Sequence, residues 1–263
     1  MTVGDVLDGA FTTITRRPRT LVAVAAVVVV PVQVLGAYAS RSSLPSADLF
    51  GAMSTVGTLT GPSGADLLLM VVAMCAENLS LFFLGGAVTA VVMSWLDGGE
   101  LDAREALAAA FRRSGALVGA WALLLPLKLI AAVPCYLGLV FVTPLFALTA
   151  PAIVVEGLGP VAGAKRSWQL VVRRLWPCIG IVLLVTLVVS VLEQILTVPP
   201  LLVSMVLPSS VGWIAVAAGA SAVSLLTQTA LVAASVLVYV DTRVRTEGLD
   251  LELAATGAFA GRG

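Results

Sequence analysis

Asp241, Arg243, Arg245, Glu247 and Asp250 crowd into the ten residues 241–250, directly after a long apolar run in a chain otherwise poor in charge. Alternating signs at this density suit ion pairing, either within one helix or across to a neighbouring segment. A second set is scattered inside the apolar runs themselves: Glu77, Lys128 and Glu193, with Gln33 and Gln228. Ionisable groups in a membrane span are costly and usually pair, line a cavity or serve function. No histidine is present, and Cys75, Cys135 and Cys178 are widely spaced without a CxxC pair. That excludes the common zinc and redox motifs and leaves the thiols as small apolar side chains. No carboxylate pair is spaced for acid–base work, the hydroxyls have no imidazole to activate them, and no glycine-rich phosphate loop occurs. The expectation is a protein without catalytic residues, metal or cofactor.

The elements that must position these groups follow from hydropathy. Of 263 residues, 59% are hydrophobic and 11% charged, where a soluble domain carries about 25%. Mean hydropathy is +1.06, and the zero net charge removes any global electrostatic argument for nucleic acid. Runs long enough to span a bilayer lie at about 20–40, 68–96, 115–133, 136–155, 176–197 and 212–240. The expected fold is an all-α integral membrane protein in a single polytopic domain. Pro126, Pro134, Pro144 and Pro151 predict kinks in the third and fourth spans. The loop at 41–65 is rich in Ser, Thr, Gly and Pro. The apolar stretch at 198–211 contains Pro199-Pro200 and is expected to be a hydrophobic loop.

Charge bias sets the orientation. Arg16, Arg17, Arg19, Arg104, Arg112, Arg113, Lys165, Arg166, Arg173, Arg174, Arg243, Arg245 and Arg262 fall on one side, 13 of the 15 basic residues, leaving Arg41 and Lys128. By the positive-inside rule both termini are cytoplasmic, in a multi-pass cell-membrane protein.

A loose repeat precedes each odd-numbered span. "LDGAFTTITRRPRTLVAVAAV" (7–27), "LAAAFRRSGALVGAWALLL" (107–125) and "VAGAKRSWQLVVRRLWPCIGIVLLV" (161–185) each run from an amphipathic segment through arginines into a span. They predict cytoplasmic elbow helices at 4–17, 102–113 and 160–174, the second opening with Asp102 and Glu105 as a capping box and the third carrying Val161, Ala164, Trp168 and Val171 on one face. Three elbow-and-hairpin units result, followed by a cytoplasmic tail at 241–263. Glu77, Lys128 and Glu193 lie at comparable depth in the outer half, at about 28, 20 and 26 Å from the cytoplasmic side. Lys128 is thus within reach of Glu77 or Glu193. These groups with Gln33 and Gln228 form either an outward-facing polar cleft or a set of structural bonds between helices.

The tail of span six continues as helix to Gly248, with Tyr239 at the membrane interface. It pairs Asp241 with Arg245 and Arg243 with Glu247 locally, or reaches across to Glu156, Lys165 and Arg166. "YVDTRVRTEGLDLEL" and "PAIVVEGLGPVAGAKRSWQLVVRRLW" (151–176) resemble the glycerophosphoryl diester phosphodiesterase membrane-domain family and related bacterial and archaeal membrane proteins. The matching positions are Pro151, Glu156, Gly157, Ala164, Arg166, Ser167, Trp168, Tyr239, Asp241, Arg243, Arg245, Glu247, Gly248 and Asp250. Family members with diesterase activity carry it on a separate TIM barrel, for which this chain has no room. The resemblance therefore implies a six-span membrane module and not the reaction. The leading expectation is a non-catalytic module that binds anionic membrane lipids or docks a membrane or cell-envelope protein. The alternative is a transporter or lipid-translocating protein that uses the polar cleft.

Overall fold

The computed structural model describes residues 9, 12, 18–40, 64–96, 98–132 and 137–248. Apart from Gly9 and Thr12, the expected first elbow at 4–17 lies outside them, as do Arg41, Cys135, Asp250 and Arg262. The described elements are all helical: α1 (Pro18–Ala39), α2 (Gly64–Leu96), α3 (Ala103–Arg112), α4 (Ser114–Ala132), α5 (Leu137–Phe146), α6 (Thr149–Glu156), α7 (Pro160–Arg173), α8 (Leu175–Val206) and α9 (Ser209–Glu247). Taking α5 and α6 together, six stretches are long and apolar enough to cross a membrane. The chain is an all-α, multi-pass membrane protein by length and composition of its helices.

The short helices α3 and α7 meet their long successors α4 and α8 at single arginines. Asp102 and Glu105 form a capping box at the start of α3, and Arg113 interrupts the helix before α4 with φ −104° and ψ 14°. Gly159 and Pro160 open α7, and Arg174 breaks it from α8 with φ −138° and ψ 48°. The Arg-Arg pairs 112–113 and 173–174 thus both stand at helix junctions.

The fourth apolar run is divided. Pro151 has no N–H for the carbonyl of residue 147, and its ring crowds that carbonyl. The chain turns at Ala147 and Leu148 between α5 and α6. One carbonyl near this break is satisfied from outside, because the buried Ser167 hydroxyl of α7 donates to the Leu145 carbonyl at 2.8 Å.

The stretch 198–211 is mostly helix, which corrects the loop expectation. Helix α8 runs through Pro199 and Pro200 to Val206, and α9 begins at Ser209. Proline's fixed φ is itself helical, so the cost falls on the preceding turn, as lost bonds and crowded carbonyls. Packing offsets it: Gly219 of α9 faces the Pro200 ring so closely that a Cβ there would collide with it.

Helix α9 is the axis of the bundle. Val232, Ala233, Ala234, Val236, Val238 and Tyr239 are all buried, and six such residues within eight positions cannot share one helical face. It packs against α8, α1 and α2. Its hydroxyls largely bond their own helix, as in Ser221, Thr227, Thr229, Ser235 and Thr242, each donating to the carbonyl four residues earlier. Among the described residues, α2 approaches α6 through Gly85 and Gly86, where added Cβ atoms would stand 3.1 Å from Ala150 and Val154. In the Gly115-x-x-x-Gly119 motif only Gly119 makes a close approach, to Pro160 at the start of α7.

Candidate functional site

Two groups of polar side chains stand out, one where α6, α7 and α9 meet and one where α1, α2, α8 and α9 approach. At the first, Glu156 ends α6, and Gly157 follows in the left-handed region at φ +66°. A side chain at Gly157 would be strained and would also collide with the Arg113 guanidinium, which donates to the Gly157 carbonyl at 3.2 Å. This turn places the Glu156 carboxylate under α7 and α9.

Arg166 of α7 then bridges two carboxylates. Its Nε lies 2.9 and 2.8 Å from the two Glu156 oxygens, and one terminal nitrogen lies 2.7 Å from Glu247. Arg243 donates to Glu247 at 3.2 Å and stands 4.0 Å from Glu156. The Tyr239 hydroxyl donates to Glu156 at 2.9 Å and accepts from Arg243 at 3.5 Å. Two carboxylates, two guanidinium groups and a phenol thus share one partly desolvated node, with the acidic and Arg243 side chains about one-fifth exposed or less. The Glu247 hydrogen bond, and then Glu156, hold the Arg166 guanidinium above its ordinary pKa against the opposing effect of its own burial.

Asp241 forms a satellite of this node. It accepts from Arg245 at 2.8 Å within α9 and from Arg174 at 3.4 Å. Arg173 reaches Glu247 loosely, at 3.9 Å. Local and cross-helix pairing therefore coexist: both i,i+4 pairs of α9 form, and the same carboxylates also reach α7 and its junction with α8.

Three placements differ from the sequence expectation. Lys165 is exposed and makes no ion pair among the described residues, because it points about 100° away from Arg166 around α7. Asp241 meets Arg174 rather than Arg166 or Lys165. Tyr239 is fully buried within the bundle and does not face outward, since it shares the inward face of α9 with Val232 and Val236. Tyr239 and Arg174 were the members that spacing alone did not connect to Glu156 and Asp241. The available signal was Tyr239's position four residues before Arg243, which stacks its guanidinium 5.8 Å from the phenol ring centroid.

The second group is looser. Gln33 of α1 and Gln228 of α9 each direct Nε2 to the same Glu77 oxygen at 3.5 Å. Ser224 donates to Glu193 at 3.4 Å, and Glu193 lies within electrostatic reach of Glu77. Neither carboxylate has an ion pair among the described residues. Gln33 and Glu77 line a cavity of about 210 Å³. The buried Gln228 carbonyl oxygen has no hydrogen-bond partner among the described residues.

Lys128 does not join this group, which corrects the expected pairing with Glu77 or Glu193. Its ammonium lies 5.9 Å from the Phe82 ring centroid. Phe82 is five residues after Glu77, hence about 140° around α2. Helix α4 packs on that other face, and α9 and α1 take the Glu77 face. Among the described residues no cluster of three His, Cys, Asp or Glu side chains could hold a metal.

No protein-family model, curated protein or solved structure matches this chain.

Proposed function

We propose that this chain is a non-catalytic cell-membrane module, with both termini in the cytoplasm, that binds anionic lipid through its cytoplasmic short helices. The observation that carries this reading is the outward arc of α7. Its inner face is Gly163, Ala164, Ser167, Leu170 and Val171, all buried. Around the outer face, in angular order, come Trp168, Val161, Val172, Lys165, Gln169 and Arg173, all exposed. The arc grades from aromatic and apolar to basic, and the helix contains no acidic residue. A helix lying at a membrane surface has this gradient, with the apolar edge among acyl chains and the basic edge among headgroups. Phe111 on α3, beside Arg112, repeats the pairing of an exposed aromatic with a basic residue. The resemblance to the diesterase membrane-domain family supports the same role, a membrane module.

The test is lipid retention in mild detergent, read by native mass spectrometry. Phosphatidylglycerol is expected to be retained over phosphatidylcholine, and Lys165→Gln with Arg173→Gln to reduce that preference about thirtyfold, at about 1 kcal/mol per basic residue. Equal retention of both lipids by the unaltered protein overturns the proposal. A second reading, translocation of a polar solute or lipid headgroup, rests on the cavity beside Gln33 and Glu77.

A further inference from the structure

A different cavity, of about 150 Å³ and open on part of its boundary, lies where α2, α4, α5, α6, α8 and α9 converge. Its walls are apolar, formed by residues such as Phe82, Leu124, Phe146 and Val232, with four polar exceptions: Lys128, Thr143, Thr186 and Ser235. Ser235 donates to the Leu231 carbonyl of its own helix. Lys128, Thr143 and Thr186 make no hydrogen bond or ion pair with any described residue. One cavity therefore gathers an ammonium group and two hydroxyl donors, all without an acceptor among the described residues. Lys128 stands about 21 Å along α4, within the hydrocarbon layer if α4 spans it, where an uncompensated cation is costly.

We propose that this cavity binds the head of an anionic amphiphile, a carboxylate or phosphate on an alkyl chain. The charge of the head is complementary to Lys128, and the two threonine hydroxyls supply further donors. The alkyl chain follows from position, because a bare hydrophilic anion would have to cross hydrocarbon to arrive, whereas an amphiphile is already concentrated there. Size limits what enters. A cavity of about 150 Å³ holds roughly one benzene, so it takes the head and first methylene groups, and the remaining chain leaves through the open side into the bilayer. Nothing in this site depends on the α7 surface.

The experiment uses the full chain in nonionic detergent, titrated separately with oleate, oleyl alcohol and oleoyl lysophosphatidate and read by native mass spectrometry. Oleate is expected to bind at least about tenfold more tightly than oleyl alcohol, the ratio for one hydrogen bond to a charged group. Tighter binding of lysophosphatidate than of oleate assigns the head to a phosphate, and the reverse assigns it to a carboxylate. Lys128→Met is expected to abolish the preference for the charged head, and Lys128→Arg to keep it. Thr186→Val is expected to weaken oleate but not oleyl alcohol. Equal binding of oleate and oleyl alcohol by the unaltered protein overturns the proposal, and so does a preference that survives in Lys128→Met. If Lys128→Met does not fold, Thr186→Val decides the matter, because Thr186 lines this cavity and not the α7 surface, and oleate binding unchanged by Thr186→Val overturns the proposal.

Discussion

At the junction of α6, α7 and α9, Glu156 and Glu247 are both met by the Arg166 guanidinium, at 2.8 and 2.7 Å. At Glu77 the donors are two neutral amides, each at 3.5 Å, and the carboxylate is itself exposed. Both regions place carboxylates on apolar helices, yet one is a closed network and the other a loose cluster. The difference lies in what each location lets a basic residue do. Where helices end, arginines at the bends and on the α9 extension can hold charge at the boundary and still reach inward with a planar fork. Along the spans a partner cation would itself be surrounded by hydrocarbon, so Glu77 and Glu193 meet amide and hydroxyl groups instead. Both therefore join three helices, the network through short charge-assisted bonds and the cluster through longer bonds from neutral amides.

Deleting the carboxylate that three groups share should break this contrast most severely. Glu156→Ala leaves Tyr239 without an acceptor and removes the Arg166 fork, for an expected loss of about 3 kcal/mol or more, measured by unfolding in detergent. Arg243→Met is milder, because Glu156 and Glu247 both keep Arg166, and about 2 kcal/mol is expected by the same measurement. Combining Arg243→Glu with Glu156→Arg should not restore the loss, because the new arginine would face Arg166. The smallest effect belongs to the other region. Glu77→Gln preserves the hydrogen-bonding capacity and loses only an unpaired charge, so stability should change by about 0.5 kcal/mol or less. If the cavity beside Glu77 is a translocation path, the same substitution should slow solute or lipid flux in proteoliposomes while leaving stability unchanged. A large loss of stability for Glu77→Gln would make the two regions alike and remove the contrast.

Much of the helical layout was legible because hydropathy and local chemistry act over short distances. The spans, the capping box at Asp102 and Glu105, the continuation of α9 to a left-handed Gly248 and the local pairs Asp241–Arg245 and Arg243–Glu247 each depend on residues a few positions apart. The prolines were read less well. Pro151 does divide its span, but Pro199 and Pro200 do not end α8, since whether a proline breaks a helix depends on what packs against the turn before it, here Gly219.

The sequence by itself determined the all-helical class, the number of apolar stretches, the arginine-marked bends and the face of α7 that is basic. All of these follow from composition and from the periods of 3.6 residues and about twenty apolar residues. Only the tertiary structure decided the partners. Depth along a span puts Lys128 level with Glu77 and Glu193, but rotation about α2 separates them, and rotation depends on which helix packs on which face. For the same reason Tyr239 turned inward to Glu156, Lys165 turned outward, and Lys128 came to line a cavity with Thr143 and Thr186. A helix's own sequence specifies its stripe. The angle at which that stripe meets its neighbours depends on the summed packing of the whole bundle.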